Sequence, residues 1–276
     1  MIHRGVMWIR ALTLCTLLLT VVLNATAVPR IETGFLDRIV TLGSLGYRYQ
    51  VYVPVDYTRG KRLPVILFLH GVAEAGEDGL LQTQVGLGPA IRQARERFPF
   101  LVVFPQSPRN QFWVGQMADL ALKALDRTVQ EFNGDPQRLY VTGISLGGHG
   151  TWCVAARAPK KFAAIVPICG FVNIKRLNLP AERKTFAIED IPFADSPDPY
   201  AAVSSQISKV PTWIFHGGAD PVISPDESRN MFQALKASGF DVKYTEYDGV
   251  GHNAWDKAYA EPDLVPWLLS HRRSQR

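Results

Sequence analysis

The residues best suited to chemistry lie around a serine, in the pentapeptide Gly143-Ile144-Ser145-Leu146-Gly147. A serine hydroxyl is a weak nucleophile until a neighbouring base takes its proton. The apolar run Leu139 to Thr142 precedes this serine, and a glycine-rich segment typical of a helix start follows it. Small flanking residues permit the tight strand-to-helix turn that exposes such a nucleophile. The pattern therefore predicts Ser145 as a nucleophile, with a coincidental glycine-rich turn as the alternative.

An acid and a base are predicted farther along the chain. Asp220 follows the apolar run Thr212 to Phe215, and His252 lies in a glycine-flanked loop before the last predicted helix. Polar residues at the carboxyl ends of parallel strands converge on one edge of a sheet. We therefore predict that His252 takes the proton of Ser145 and that Asp220 fixes the imidazole tautomer. Asp248 is the alternative acid, but it lies only four residues before His252 and is expected to cap its own turn.

Two backbone N–H groups are predicted to stabilise the oxyanion that nucleophilic attack produces. The Leu146 N–H lies at the start of the helix that follows the serine. The second donor is predicted to be the Val72 N–H, just after the apolar run Pro64 to His70, with the Ala73 N–H as the alternative. Such donors accelerate a reaction because they bind charge that develops only in the transition state.

The other polar residues near these motifs are predicted to be structural. His70 and His216 each precede a glycine at a strand end, where an imidazole can satisfy backbone groups. His149 lies in the helix after the serine and is expected to pack there. Glu74 and Glu77 are expected to fix the loop after His70 through hydrogen bonds.

Tryptophans and cysteines offer fewer chemical signals. Trp113 and Trp255 are predicted as candidate walls of a substrate pocket, with packing as the alternative, whereas Trp152 is expected in the core. Cys153 and Cys169 lie in apolar stretches and are predicted to be buried free thiols rather than a disulfide. Their spacing from histidines does not indicate a metal site, so no metal is expected.

The elements that must position these residues alternate along the chain. After a predicted hairpin over residues 35–54, short apolar runs typical of buried strands alternate with segments of helical periodicity. This order predicts an α/β fold, with a mostly parallel central sheet and helices on both faces. The predicted helices are Pro89 to Phe98, Met117 to Phe132, Gly148 to Ala158, Pro225 to Ser238 and Ala254 to Ser270. A proline-rich stretch, about residues 171–210, is predicted as an insertion that forms either a lid or a surface excursion.

The first residues are expected to be removed from the working protein. A basic start, an apolar run and Ala25-Thr26-Ala27 together predict a signal peptide over residues 1–27, with an uncleaved membrane anchor as the alternative. Residues 28–276 are then one catalytic domain, secreted or periplasmic, with no membrane span after cleavage. The net charge of +5 is dispersed along the chain, so nucleic-acid binding is not predicted.

Four segments together resemble a known family: LHGVAEAGEDG, YVTGISLGGHGTW with the following FAAIVPICG, IFHGGADPVIS, and GVGHNAW. They are similar to secreted carboxylesterases of the α/β-hydrolase superfamily. Within it they are most like the polyhydroxybutyrate-depolymerase and feruloyl-esterase group, often labelled phospholipase/carboxylesterase and related to prolyl-oligopeptidase-type hydrolases. The resemblance implies the α/β-hydrolase fold, a triad of Ser145, Asp220 and His252, and no cofactor. Relatives often carry small or glycine residues where this chain has Val72 and Ala73, a difference that changes the pocket shape and keeps the backbone donors.

The resemblance and the motifs predict hydrolysis of carboxylic esters through an acyl-enzyme. The expected substrates are short acyl or aromatic esters, of acetyl or feruloyl type, in small molecules or linked to polymers. Two alternatives are a serine peptidase of the prolyl-oligopeptidase type and a non-catalytic binding protein on a hydrolase scaffold. Against the peptidase, such enzymes usually carry an added N-terminal propeller domain, for which this chain has no room.

Overall fold

One mixed sheet organises the molecule, whose computed structural model describes residues 32–177 and 190–273. The predicted signal peptide and residues 178–189 of the predicted insertion lie outside the described residues. The eight strands have the spatial order β1-β2-β4-β3-β5-β6-β7-β8. They are β1 (Gly34–Leu42), β2 (Leu45–Val53), β3 (Val65–Leu69), β4 (Leu101–Pro105), β5 (Leu139–Ile144), β6 (Ala164–Ile168), β7 (Thr212–Gly217) and β8 (Val242–Tyr247).

The sheet begins with the predicted hairpin. β1 and β2 pair antiparallel from Gly34 opposite Val53 to Leu42 opposite Leu45, and β2 pairs antiparallel with β4. From β4 to β8 all neighbouring strands run parallel. The carboxyl ends of these six strands therefore meet at one edge, where the site residues are expected.

Helices cover both faces of this sheet. They are α1 (Leu87–Gln93), α2 (Gly115–Glu131), α3 (Leu146–Arg157), α4 (Pro199–Gln206), α5 (Asp226–Ala237), α6 (Trp255–Ala260) and α7 (Leu264–Ser270). Two apolar clusters show the two layers. Leu67 of β3 belongs to the cluster that contains residues of α2, α3 and α5, and its neighbour Phe68 belongs to the cluster that contains residues of α1, α6 and α7. This alternation follows from the two-residue period of a strand. Within the described residues, no helix has the length and apolar content to cross a membrane.

The predicted α/β-hydrolase fold is confirmed, with two corrections among the helices. The segment predicted as a helix from Pro89 to Phe98 is an α-helix only as far as Gln93, and a separate 3-10 turn, Arg95–Arg97, follows it. The segment Ala254 to Ser270 was predicted as a single helix, but it forms α6 and α7 with a break at Glu261 and Pro262. Glu261 has an extended backbone (ψ 119°) because the proline ring that follows disfavours a helical conformation there. The break turns the chain so that both short helices can pack on the same face.

The predicted insertion connects β6 to β7, and its described parts contain α4. The Asp198 side chain accepts hydrogen bonds from the backbone N–H groups of Tyr200 and Ala201, and Pro199 occupies the first turn. These are common signals of a helix start. Phe171, near the start of the connection, and Phe193, in its second described part, are both buried in the core cluster. A lid role for this segment stays a prediction.

Candidate active site

Ser145 occupies a sharp turn between β5 and α3. Its backbone has a positive φ (54°, with ψ −115°), a conformation that side-chain-bearing residues rarely adopt. A Cβ added at Gly143 would overlap the Gly147 carbonyl oxygen, and one added at Gly147 would overlap the Leu69 carbonyl oxygen. Both glycines are therefore needed for the turn. A strained residue held by its surroundings is typical of a functional position.

A chain of two hydrogen bonds joins the predicted triad. The Ser145 Oγ lies 2.9 Å from the His252 Nε2, and the His252 Nδ1 lies 2.7 Å from the Asp220 Oδ2. An ionised carboxylate only accepts, so the imidazole Nδ1 donates to Asp220 and its Nε2 is left to accept from the serine hydroxyl. The His252 side chain is 19% exposed, whereas that of Asp220 is completely buried. The geometry favours Asp220 over the alternative Asp248, which is exposed to solvent.

Four donors surround the Asp220 carboxylate. Its Oδ1 accepts from the backbone N–H groups of Val222 (2.8 Å) and Ile223 (3.0 Å), and its Oδ2 faces both His252 and His216. Burial alone would raise the pKa of this carboxyl. The hydrogen bonds from His216, His252 and the two backbone groups outweigh burial and hold the pKa of Asp220 well below its usual range. Asp220 is therefore ionised at neutral pH.

His216 is a site residue whose contact with the acid the sequence did not predict. It was expected to satisfy backbone groups, and its Nε2 does lie 3.0 Å from the Ile223 carbonyl oxygen. The same nitrogen lies 3.2 Å from the Asp220 Oδ2, and the Nδ1 lies 2.6 Å from the Ser228 Oγ. The imidazole is completely buried. The available signal was its place at a strand end four residues before the acid, with two glycines between them.

The loop after β3 is held by His70, as predicted. The His70 Nδ1 lies 2.6 Å from the Gly71 carbonyl oxygen, and its Nε2 accepts from the Ser107 N–H at 3.1 Å. The Trp113 indole N–H donates to the His70 carbonyl at 3.0 Å. Burial lowers the pKa of His70 to about 4, so the imidazole is neutral at pH 7. A neutral histidine with both nitrogens bonded is a structural support rather than a base.

The two candidate oxyanion donors begin adjacent helical turns. Val72 opens the 3-10 turn Val72–Glu74 and is 53% exposed, and Leu146 is the first residue of α3. The first N–H groups of a helix have no intrahelical acceptor, so they are available to a ligand. A Cβ at Gly71 would lie 3.6 Å from the Ser145 Cβ, which places this loop directly beside the serine. The oxyanion role of both N–H groups stays a prediction.

Gln106 holds the loop that follows His70 through hydrogen bonds, a role that was predicted for Glu74 and Glu77. Its side chain donates to the Glu74 carbonyl oxygen (3.1 Å) and accepts from the Gly79 N–H (2.7 Å). Burial raises the pKa of the Glu74 carboxyl, although hydrogen bonds from its own backbone and from Gly71 offset part of that rise. Glu77 is exposed. The glutamine follows the end of β4, and only the tertiary fold brings it to this loop.

The two tryptophans predicted as pocket walls differ in the structure. Trp113 is completely buried, and a Cβ at Gly150 would overlap its side chain, so Trp113 packs against α3 instead of lining an open pocket. That prediction is corrected: the loop-like sequence around Trp113 folds inward because its indole N–H bonds to a strand-end carbonyl. Trp255 is half-buried, with its ring edge-on to His252 at a centroid distance of 5.5 Å. Trp152 lies in the core, as expected.

Both cysteines in the described residues are free and buried, as predicted. Cys153 Sγ lies 3.4 Å from the His149 Nε2, and the His149 ring stacks on Phe171 at 4.2 Å, in agreement with a packing role for this histidine. Cys169 has a different position. Its Sγ, one carboxylate oxygen of Asp220 and one ring nitrogen of His252 all lie within 4.8 Å of one another.

Comparisons with known proteins agree with this geometry. The profile of the prolyl oligopeptidase family matches residues 110–271, more than half of the chain. An acetylxylan esterase A from Emericella nidulans is 22% identical, over 74% of this chain and 70% of that protein. The solved structure of a thermostable esterase superposes with a TM-score of 0.70 and 26% identity, over 87% of this chain and 63% of that one. These matches confirm the resemblance to esterases of the α/β-hydrolase superfamily.

Some relatives are much longer than the matched region. An uncharacterized secreted protein from Arthroderma benhamiae is 28% identical over 70% of this chain, but the match covers only 22% of that protein.

Proposed function

The chain belongs to the prolyl oligopeptidase family, and we propose that it hydrolyses carboxylic esters with Ser145 as the nucleophile. The observation that carries this proposal is the unbroken chain of hydrogen bonds from the Ser145 Oγ through His252 to Asp220, with distances of 2.9 and 2.7 Å. Nucleophile, base and orienting acid within hydrogen-bond reach form the arrangement that activates a serine for acyl transfer.

The first half-reaction forms an acyl-enzyme. The Ser145 Oγ attacks the ester carbonyl carbon while its proton moves to the His252 Nε2, and the charged imidazolium is stabilised by Asp220. The N–H groups of Val72 and Leu146 then bind the oxyanion of the tetrahedral intermediate. When the intermediate collapses, the carbon–oxygen bond to the leaving group breaks. His252 gives its proton to that group, which departs as an alcohol or a phenol.

The second half-reaction restores the enzyme. His252 takes a proton from a water molecule, and the resulting hydroxide oxygen attacks the acyl carbon. The bond between that carbon and the Ser145 Oγ then breaks, and Oγ recovers the proton from the imidazolium. The acid product leaves, and its carboxyl ionises in water. Each group ends in its starting protonation state, so no cofactor is needed for turnover.

The proposed substrates are short acyl or aromatic esters, of acetyl or feruloyl type, free or linked to a polymer. Acetylxylan esterases among the relatives support this class. Trp255 supports it too, because its half-buried ring lies beside His252, where an acyl or aromatic group can contact it. A secreted or periplasmic location, from the predicted signal peptide, would give the enzyme access to polymers outside the cytoplasm. The name of one relative, a secreted protein, supports that location.

Peptide cleavage is the second candidate, and the family match favours it. The same three side chains can attack an amide, whose nitrogen leaving group also takes its proton from the imidazolium. Esters are the more reactive substrates. A comparison of ester and peptide turnover by one preparation therefore separates the two candidates.

The experiment uses the full chain, with Ser145→Ala as the test variant and Ser205→Ala, at an exposed serine of α4, as the matched control. Acetyl, butyryl and feruloyl esters, acetylated xylan and a peptide panel are assayed, and the active serine is labelled with a fluorophosphonate. We expect the wild type and the control to be labelled and to turn over esters fastest, and Ser145→Ala to do neither. Equal activity of Ser145→Ala would refute the proposal, faster peptide turnover would favour the peptidase, and no labelling of the wild type would favour a binding protein.

A further inference from the structure

Hydrolysis makes no use of the thiol of Cys169, although this group lies beside the triad. The residue directly follows β6, and its side chain is completely buried with a positive backbone φ of 39°. Burial raises the pKa of this thiol, so it is protonated and a poor nucleophile by itself. Its sulfur, an oxygen of Asp220 and a nitrogen of His252 lie within 4.8 Å of one another.

These three groups offer the ligand atoms that zinc prefers in proteins. Zinc binds a cysteine sulfur at about 2.3 Å, a histidine nitrogen at about 2.0–2.1 Å and a carboxylate oxygen at about 2.0–2.2 Å, in tetrahedral geometry. Ligand atoms at those distances lie about 3.2–3.6 Å from one another. The distance from His252 Nδ1 to Asp220 Oδ2 is 2.7 Å, so this pair must open by about half an ångström to admit an ion. The other separations in the group, which are at most 4.8 Å, must close by up to about 1.2 Å. Adjustments of about an ångström are within the range of side-chain rotation.

We propose that Cys169, Asp220 and His252 form an inhibitory binding site for a thiophilic divalent cation of the zinc type. The topology of the sheet creates this site, because the three residues follow three different strands, β6, β7 and β8. Among the residues that the structure describes, no other group of three or more histidine, cysteine or acidic side chains has this spacing. The binding itself does not depend on the proposed function, but its effect on turnover does.

Binding would stop the base by changing its tautomer. The cation takes the lone pair of the His252 Nδ1, and the proton that this nitrogen carried moves to Nε2. The Cys169 thiol gives its proton to solvent and binds as a thiolate, and Asp220 exchanges its bond to the imidazole for a bond to the metal. Nε2 then carries a proton and cannot accept the one on the Ser145 Oγ, 2.9 Å away. The serine stays an unactivated alcohol.

The chain provides its own matched control. Cys153 is a second buried free thiol, also next to an imidazole, with its Sγ 3.4 Å from the His149 Nε2. It belongs to no such three-ligand group. The variants Cys169→Ala and Cys153→Ala therefore each remove one buried thiol, and only the first removes a ligand of the proposed site.

The test measures cadmium binding and zinc inhibition on the full chain after removal of metals with EDTA. Cadmium bound to a thiolate gives an ultraviolet charge-transfer band that needs no catalytic turnover. We expect this band, and zinc inhibition that EDTA reverses, in the wild type and in Cys153→Ala. We expect no band in Cys169→Ala. For this variant, the same fractional inhibition, measured against its own metal-free rate, should require a zinc concentration at least about tenfold higher than for the wild type. Cys169→Ser, which has nearly the original volume, replaces the alanine variant if the latter does not fold.

The site would be overturned by a full band in a folded Cys169 variant, or by zinc inhibition that is the same in all variants. A band that Cys153→Ala alone loses would assign the metal to the other thiol and would also overturn it. The two proposals fail separately. A wild type with the band but no ester turnover would refute the proposed function, whereas one with turnover but no band would refute the metal site.

Discussion

Replacement of Asp220 by asparagine tests how the acid controls the base. The carboxylate Oδ1 accepts two backbone N–H groups, those of Val222 and Ile223, at 2.8 and 3.0 Å. In Asp220→Asn, the amide oxygen stays at this position, because an NH₂ group there would face two backbone N–H groups whose protons are fixed. At the Oδ2 position the NH₂ group faces imidazoles, and that of His252 can change its tautomer. The NH₂ group is therefore forced toward the His252 Nδ1. This nitrogen must then accept a hydrogen bond, and the imidazole proton moves to Nε2.

The tautomer change sets the magnitude of the effect. With a proton on Nε2, His252 cannot accept the proton of Ser145, although the distances between the three side chains are nearly unchanged. A corresponding Asp-to-Asn change in serine hydrolase triads lowers kcat by about 10⁴. That factor corresponds to about 5.5 kcal/mol of lost transition-state stabilisation. KM should change little, because Asp220 is buried and does not contact the substrate.

The assay is the steady-state hydrolysis of p-nitrophenyl acetate, together with the rate of fluorophosphonate labelling. Asp248→Asn is the control, because Asp248 is an exposed carboxylate that follows β8, four residues before His252. We expect this control to keep near-wild-type kcat and the Asp220 variant to lose both activities.

Two outcomes would refute the reasoning about Asp220. One is a kcat for Asp220→Asn within tenfold of the wild type. The other is a collapse of kcat in Asp248→Asn, which would make that residue the acid. Thermal unfolding of each variant shows whether a loss of activity is instead a loss of fold.

Three further predictions concern the supports of the site. His216→Phe removes a charge-assisted hydrogen bond worth about 1.5–3 kcal/mol, so kcat should fall about tenfold to 100-fold at constant KM. His216→Gln keeps a hydrogen-bond donor and should recover part of the lost kcat. Equal kinetics of the two variants would contradict a positioning role for His216. Gly147→Ala places a Cβ against the Leu69 carbonyl oxygen, so the free energy of unfolding should fall by about 1–3 kcal/mol. Urea unfolding should show this as a lower midpoint concentration, and an unchanged midpoint would contradict the close packing at Gly147. His70 and His149 have pKa values lowered by burial to about 4, so below about pH 6.5 the unfolded chain binds protons that the folded chain does not. The free energy of unfolding should therefore fall between pH 6.5 and 4, by about 3 kcal/mol for each histidine at pH 4. Urea titrations at several pH values measure this fall. In His149→Gln, the part of the fall that these two histidines cause should be about half as large, and an unchanged pH dependence would contradict the assignment.

The alternation of strands and helices could be predicted because local patterns determine it. The apolar runs that became β3 to β6 are short and continuous, as buried parallel strands require, and turn residues separate the two strands of the hairpin. The break between α6 and α7 was missed because the apolar periodicity continues on both sides of it, through Tyr259, Leu264 and Leu268. Pro262 was the local signal that outweighs periodicity.

Side-chain contacts between distant elements could be predicted only where a motif implied them. Ser145, Asp220 and His252 come together because each follows a strand end in the order this fold requires. The contact of His216 with Asp220 depends on the path of a single loop, and spacing alone does not determine that path. The burial of Trp113 depends on a hydrogen bond to the His70 carbonyl, 43 residues earlier in the chain.

With a neutral imidazole at His216, the hydrogen bonds around Asp220 fit a single arrangement of protons. The His216 Nε2 faces two acceptors, the Ile223 carbonyl oxygen and the Asp220 Oδ2, so this nitrogen carries the proton. Its Nδ1 must then accept from the Ser228 hydroxyl, 2.6 Å away on α5. The buried carboxylate thus has a donor on every side before substrate arrives, and none of these protons can move to it without loss of a bond. Within this network, the proton of Ser145 is left as the one that can transfer, and its route leads to the His252 Nε2.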